Sequence, residues 1–447
     1  MPSLVGSEMC IRDSMMIDYK KSIFTVEEKI EEDKILVYNM LTQSYFVYDN
    51  NLLDQNWNEI RDSNFREKMI QGKFLVATEI DESADLLKKF KKINDYNEEL
   101  NLVLVLTTGC NMRCVYCYEE ELEISKLSNQ TLNQMIKWIN KQIQAYTIKK
   151  VNILLFGGEP LLNPCDTIRI MKILKKDINA IVEFSMATNG INLEKNILRE
   201  MFNLGLTGIQ VPIDGPKKIH EMRRPLKNKK GENYTRIIHN LKEVSQLPIS
   251  ITIKINIDKQ NITCIEELLD DLISYHLQKD IILKFEAIAL TQKSVEDTGH
   301  YCNKFAYDSR AEEIAKAYDI CMRVADDKGF CVSETVGNIT PCMFTSKNEF
   351  VLNSDGNIYK CISAIGMEEF LVGNVETGVT DKYVECLSRI DLADKCLEKK
   401  CPYVPKCGGG CAYEKVLKDG ILMEVDCKYN YYKEYYKRKF IRKMHGK

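Results

Sequence analysis

Six stretches of nearly unbroken apolar residues recur in the middle of the chain, at 100–106, 151–156, 181–187, 208–213, 249–257 and 281–290. Runs of this kind predict strands covered on both faces. Between them lie stretches with helical periodicity, at 129–145, 167–176, 193–203, 234–244 and 262–275. Strand and helix in alternation predict a parallel sheet, open or closed into a partial barrel. In such sheets the chemistry belongs at the carboxyl ends of the strands.

The pattern divides the chain into residues 15–98, 99–330 and 331–447. In the first part, KILVYNMLTQSYFVYD (34–49) reads as two strands about a Thr-Gln-Ser turn. A charged helical stretch, a short strand within 73–81 and a Lys-rich helix over 85–93 follow. This is a small α+β module, either winged-helix-like or an extension that only packs on what comes next. The leading MPSLVGSEMCIRDS (1–14) lacks the basic and apolar regions of a signal peptide and resembles translated adapter sequence. Met15 or Met16 is the expected start, and Cys10 stays out of the chemistry. Beyond residue 331 the alternation stops. FVLNSDGNIYKC (350–361) predicts a hairpin with Asp355-Gly356 at its turn. The last stretch predicts a helix with Tyr432, Tyr435, Tyr436 and Phe440 on one face, its Lys/Arg excess forming a solvated face rather than an RNA or membrane patch.

Composition narrows the chemistry. With 447 residues, 45% hydrophobic, 28% charged and a net charge of -3, the chain is globular and no dedicated binder of nucleic acid or anionic membrane. No run reaches the roughly 18 apolar residues of a membrane span. A P-loop is absent, and His 5 is too few for a His-rich metal protein. Cysteine is the outlier, at 17. Without an export signal the expected compartment is the cytoplasm, where thiols stay reduced and clusters of them bind metal.

Directly after the first strand comes TTGCNMRCVYCYEE, placing Cys110, Cys114 and Cys117 in a CX3CX2C spacing. A structural zinc wants four ligands and an iron–sulfur cluster normally has four. Three thiols therefore imply one open iron, useful where a small molecule must bind the metal. The chain here resembles the radical SAM superfamily, whose signature is this spacing. The resemblance implies a partial (β/α)6 TIM-like barrel and a [4Fe–4S] cluster on the three cysteines. The cluster's open iron would chelate S-adenosylmethionine (SAM) and cleave it to a 5′-deoxyadenosyl radical. It also places Tyr116 beside the adenine. The second strand runs into Gly157-Gly158-Glu159-Pro160, similar to the family's GGEP motif, whose backbone and Glu meet the SAM ammonium. Thr188-Asn189-Gly190 and Asp214-Gly215-Pro216 resemble the polar strand ends lining the family's pocket. Arg223 and Arg224 could neutralise a carboxylate, but a surface ion pair is the better reading of them.

Seven more cysteines form a second array: Cys342 and Cys361 as CX13GX4C, then Cys396, Cys401, Cys407 and Cys411 as CX4CX5CX3C, then Cys427. On spacing alone, one or two zinc ribbons compete with iron–sulfur. The array resembles the SPASM extension of radical SAM enzymes, which carries two auxiliary [4Fe–4S] clusters. It departs from that pattern in the CX4C, where CX2C is usual, and this leaves Cys396 the least secure ligand. The family's topology implies Cys342, Cys361 and Cys411 on the first auxiliary cluster, with either Cys331 as the fourth ligand or that position open to substrate. Cys396, Cys401, Cys407 and Cys427 would hold the second. Gly408, Gly409 and Gly410 let the chain turn between the two. Cys165, Cys264, Cys302, Cys321 and Cys386 have no spacing logic and read as small buried hydrophobes.

The resemblance implies a peptide maturase that installs a thioether or carbon–carbon crosslink in a ribosomally made precursor peptide, docked by the module before the barrel. A flavodoxin or ferredoxin would supply the electron. An anaerobic sulfatase-maturating enzyme, converting Cys or Ser to formylglycine, is the alternative. A non-catalytic zinc-ribbon protein is the alternative from another class. The general base stays unnamed: Asp214 and Asp355 are positioned for it, but turn roles suit both better.

Overall fold

A computed structural model describes residues 18–49, 57, 63–95, 98–120, 122–228, 232–333 and 342–445. The expected foreign leader, its Cys10 and the two candidate start methionines lie outside the described residues. The chain forms two compact units that divide between Asp85 and Leu86. That division falls inside the helix Glu82–Asn94, earlier than the boundary expected at 98.

The N-terminal unit is α+β. Strand β1 (Tyr19–Lys21) is followed by an antiparallel meander of β2 (Thr25–Lys29), β3 (Lys34–Asn39) and β4 (Tyr45–Asp49). After the helix Ser63–Gln71, β5 (Leu75–Ala77) returns to pair antiparallel with β1. Val37, Met69, Phe74 and Leu75 form the core, with Phe46 edge-on to Phe74 at 4.9 Å. The hairpin at 34–49 is present. Strand β2, TVEEK, escapes an apolar-run reading because it covers only one face and carries charge on the other.

In the second unit, β6 (Glu99–Thr107), β7 (Lys150–Gly157), β8 (Ile181–Ala187), β9 (Leu206–Pro212), β10 (Ser250–Ile257) and β11 (Ile282–Ala287) lie side by side in sequence order. Every neighbouring pair is parallel. The connecting helices include Asn129–Tyr146, Pro164–Asp177, Lys195–Asn203, Asn233–Val244 and Ile265–Ser274. This is an α/β partial (β/α)6 barrel. Not every run is buried on both faces, however. In β10, Ile251, Ile253, Ile255 and Ile257 are buried, while Thr252, Lys254 and Asn256 alternate with them and are only half-buried.

The C-terminal residues extend the same sheet. Strand β12 (Cys331–Val332) adds in parallel to β11 at one edge. At the other edge β13 (Glu349–Leu352) adds in parallel to β6 and turns into β14 (Asn357–Tyr359). Strands β15 (Leu371–Asn374) and β16 (Gly378–Val379) complete this edge. The hairpin's turn is where it was expected, with Gly356 at φ +92 and the Asn357 N–H donating to Asp355 Oδ1 at 2.8 Å.

The final helix, Tyr429–Met444, buries Tyr431, Tyr435, Tyr436 and Phe440; Tyr432 is half-buried. Its basic face is not simply solvated. Arg438 and Arg442 reach Asp319 of the helix Glu312–Asp327 at 3.3 and 2.9 Å, so much of its charge is balanced within the fold. Cys302, Cys321 and Cys386 are buried as expected of small hydrophobes, whereas Cys165 is exposed and Cys264 half-exposed. Every described cysteine is a free thiol. No helix among the described residues is long and apolar enough to cross a membrane.

Candidate functional site

The CX3CX2C loop leaves the carboxyl end of β6 and is tied down on two sides. On one side, Gly158 N–H and Glu159 N–H donate to Thr107 O and Gly109 O at 2.9 and 3.0 Å. A Cβ on residue 158 would stand 2.3 Å from Gly109 O, so only glycine lets the end of β7 lie this close. On the other side, Arg113 N–H and Val115 N–H donate to Pro225 O and Arg223 O. Cys110 Sγ accepts the Met112 N–H at 3.4 Å and the Asn189 amide at 3.8 Å. The same Asn189 amide donates to Asn111 Oδ1 at 2.7 Å. Burial pushes the Cys114 thiol up to about 11 and Cys117 to about 12, and each feels its neighbour in the triplet as a further upward push.

Glu159 faces away from the opening. Its side chain is 1% exposed, and its oxygens accept from Leu161 N–H (2.8 Å), Thr188 Oγ1 (2.7 Å) and Asn189 N–H (2.7 Å). The expectation that this carboxylate itself meets the SAM ammonium is therefore corrected: it ties the end of β7 to the end of β8. Pro160 opens the short helix Pro160–Leu162 and is likewise buried behind the wall.

Beside the triplet lies a buried polar network. Tyr116 donates its hydroxyl proton to Asp214 Oδ2 and accepts from Arg224 (2.8 Å) and Asn256 Nδ2 (3.1 Å). Asp214 Oδ1 also accepts the backbone and side-chain N–H of Asn256, both at 3.1 Å. Arg223 bonds Asp258, donates to Tyr301 at 2.7 Å and stands 3.5 Å from Asp214. Burial works to raise the Asp214 pKa, but Arg223 and Arg224 outweigh it and hold the carboxylate below its ordinary range. Two sequence readings are corrected here. Arg223 and Arg224 form no surface pair, being 0% and 7% exposed, and Asp214 is a node of the network rather than a turn residue.

A cavity of about 950 Å³ opens over the strand ends, lined by Cys110, Cys114, Cys117, Tyr116, Gly157, Gly158, Thr188 and Asn189. Glu159 and Pro160 are not on its wall. Its lumen side adds Gln210, Lys254, Asn256, Lys284 and Glu286, which the sequence reading missed. Their signal was the polar–apolar alternation of SITIKINI and ILKFEA, which is the mark of a strand with one face turned to a polar interior.

The C-terminal cysteines fall into two groups. Burial raises the Cys361 thiol, and Cys342 and Cys411 raise it further. Cys401 and Cys427 act on Cys396, and Cys396 and Cys401 act on Cys407, in each case after the larger effect of burial. The irregular CX4C is absorbed by a helix end. The Cys401 N–H returns to Cys396 O at 3.0 Å and Lys400 N–H to Leu397 O at 2.8 Å, with Lys400 left-handed at φ 52. This is the Schellman pattern. Gly408, Gly409 and Gly410 all have positive φ between the two groups. Cys331 is exposed on β12, at the opposite edge of the sheet from β13. Among the described residues no three Cys, His, Asp or Glu side chains converge as the ligands of one ion do. Ligands of a cubane cluster sit on separate irons, and an all-thiol set on a loop open to a cavity suits that arrangement.

Residues 104–272 match the family model of the radical SAM superfamily. The chain is an enzyme that carries a radical SAM domain. It is 25% identical over 350 residues to a cysteine-type anaerobic sulfatase-maturating enzyme of Clostridium novyi, covering 70% of this chain and 88% of the relative. Its fold is similar to that of anSMEcpe, solved with AdoMet and the Kp18Cys peptide, with TM-score 0.62 and 18% identity over 78% of this chain and 98% of that one. It is also similar to Streptococcus suis SuiB, solved with the precursor peptide SuiA, with TM-score 0.54 and 17% identity over 92% and 100% of the two chains. A radical SAM domain implies a [4Fe–4S] cluster and SAM.

Proposed function

We propose that this radical SAM enzyme is a peptide maturase of the SPASM type, installing a thioether or carbon–carbon crosslink in a ribosomally made peptide. One observation carries the reading. Residues 86–447 are about four fifths of the chain, so a likeness to SuiB over 92% of it must include much of the N-terminal unit. The likeness to anSMEcpe, at 78%, has no such need. SuiB was solved with a precursor peptide, and a meander with β2 and β4 as its outer strands suits docking of an extended leader by strand addition.

In this reading Cys110, Cys114 and Cys117 hold the SAM cluster. Cys342, Cys361 and Cys411 hold one auxiliary cluster, and Cys396, Cys401, Cys407 and Cys427 the other. When bound, these groups and SAM supply one-electron cleavage of the sulfonium, hydrogen-atom abstraction and an acceptor for the electron that a new crosslink releases. The chain's own residues set the geometry. The backbone of Gly157 and Gly158 offers close approach to the SAM ammonium, and Glu159 holds that turn and Thr188-Asn189 in place from behind. Tyr116, locked by Asp214, Arg224 and Asn256, presents its ring beside the triplet. Asn189 and the Met112 N–H direct hydrogen bonds at the Cys110 sulfur, a contact that tunes cluster potential. A flavodoxin or ferredoxin is the proposed electron donor.

The identity to sulfatase-maturating enzymes favours a second reading, formylglycine formation on a partner sulfatase. Anaerobic co-expression with a short peptide encoded beside the gene separates the two by mass spectrometry. Loss of hydrogens in pairs with all sulfur retained and no hydrazine-reactive aldehyde, absent in Cys110→Ala, supports the crosslinking maturase. A hydrazine-reactive product from a sulfatase-derived peptide, with the neighbouring peptide unchanged, overturns it.

A further inference from the structure

Three charged side chains meet on the lumen face of the last two barrel strands. In the parallel register Lys254 of β10 stands opposite Lys284 of β11, and Asn256 opposite Glu286. All four line the cavity. Glu286 takes the Lys254 ammonium on Oε2 and the Lys284 ammonium on Oε1, the latter at 3.3 Å. Two ammonium groups thus share one carboxylate, and the trio keeps one positive charge in excess. The side chains remain 26%, 24% and 39% exposed for Lys254, Lys284 and Glu286, so the trio's free side is turned to the cavity.

A hydrogen-bond donor lies on the same cavity wall, opposite Thr252, two residues before Lys254. Pro212 of β9 pairs with Lys254, and Gln210 is the preceding lumen-facing residue of β9, also on the cavity wall. The other nearby amide, Asn256, is already engaged with Tyr116 and Asp214. A surplus ammonium in a partly enclosed site gains more from a counter-ion than it would in open water, and charge-assisted hydrogen bonds are the strong ones. A cationic ligand would be repelled, and a neutral one would leave the excess uncompensated. A single carboxylate neutralises the trio, with Gln210 donating to its remaining oxygen.

We infer that Lys254, Lys284 and Gln210 form a carboxylate-binding site that holds an acidic group of the substrate in the barrel lumen. That the substrate is a peptide rests on the function proposed above, and an Asp or Glu side chain or a C-terminal carboxylate would then be the group held. SAM also carries a carboxylate, so the test must separate the two sources.

The test uses the full chain, reconstituted anaerobically with iron and sulfide and followed by calorimetry. SAM is titrated first. With SAM present, N-acetyl-aspartate amide and its asparagine counterpart follow. The aspartate probe is expected to bind about tenfold more tightly than the asparagine probe. Lys284→Gln leaves a balanced Lys254–Glu286 pair and should abolish that preference. Glu286→Gln frees both ammonium groups and should increase it. Melting temperatures confirm that each variant folds, with Lys254→Gln replacing Lys284→Gln if needed. If the two variants do not move the preference in opposite directions, the trio is a closed ion-pair network and the inference falls. If they move SAM affinity and leave the aspartate probe unchanged, the bound carboxylate is SAM's own and the assignment to substrate is overturned. These titrations need no maturation product, so they can fail while the peptide-maturase reading stands, and the reverse.

Discussion

The carboxylate of Glu159 accepts the backbone N–H of Asn189 at 2.7 Å, joining two strand ends whose residues are thirty apart in the chain. Asn189 in turn places its amide on Asn111 and Cys110, so the bond reaches the CX3CX2C loop in two steps. Glu159→Ala leaves three buried donors unpaired and should cost about 3 kcal/mol or more. Thr188→Val removes one of them and should cost about 1 kcal/mol. Denaturation midpoints rank the two. Iron bound per chain after reconstitution should fall in Glu159→Ala and hold in Thr188→Val.

The Tyr116 hydroxyl is saturated, with one proton donated to Asp214 and two bonds accepted from Arg224 and Asn256. Tyr116→Phe keeps the ring and strips these bonds from two charged groups. It should destabilise the fold by about 1.5–3 kcal/mol. Thermal unfolding checks the cost, and SAM titration shows that the ring alone carries the contact if affinity changes less than stability does.

His220 is buried and accepts the Asp214 N–H on Nδ1 at 3.4 Å, and burial, aided by Arg224, depresses its pKa from 6.5 to about 3. Between those values the unfolded chain takes up a proton that the folded chain refuses. The contribution is therefore full above pH 6.5 and lost as pH falls toward 3. At pH 5 the loss should amount to about 2 kcal/mol. Denaturation midpoints of the wild type and His220→Gln, compared between pH 5 and 8, should diverge on the acid side in the wild type's disfavour.

Lys400 and Gly410 make opposite predictions for the C-terminal array. Lys400 sits left-handed at the Schellman turn after Cys396, so Lys400→Gly should stabilise by up to ~1 kcal/mol. A Cβ at Gly410 would stand 1.9 Å from Asp426 O, where the Asp426 side chain also receives the Cys411 N–H. Gly410→Ala should move this backbone and lower the iron content, while the SAM-cluster spectroscopic signal persists. On the proposed assignment, iron analysis with electron paramagnetic resonance separates loss of an auxiliary cluster from loss of the SAM cluster.

Much of the site was legible because its signals are local. CX3CX2C, GGEP and TNG each occupy a few residues at the end of a strand, and the alternation of strands and helices orders those ends around one opening. The lumen of β10 and β11 was legible in principle too: Lys254 and Asn256 interrupt an isoleucine run at every second residue. Reading that run as continuous hid its polar face. Arg223 and Arg224 were read wrongly for a different reason. A charged pair at a helix end is ordinarily solvated, and only the approach of Asp214, Asp258 and Tyr116 makes their burial tolerable.

The sequence by itself determined the radical SAM barrel and its cysteine signature, because periodicity and short spacings survive in a linear chain. Tertiary structure decided what those residues do to one another. It turned Glu159 inward, joined Tyr116 to Asp214 across 98 positions and set two lysines against one glutamate. It also set Cys342 and Cys411 close enough to raise the Cys361 thiol, and Cys396 and Cys401 close enough to raise that of Cys407, each beyond the larger effect of burial. These relations depend on strand register and on the low dielectric of a packed interior, which exist only once the chain has closed on itself.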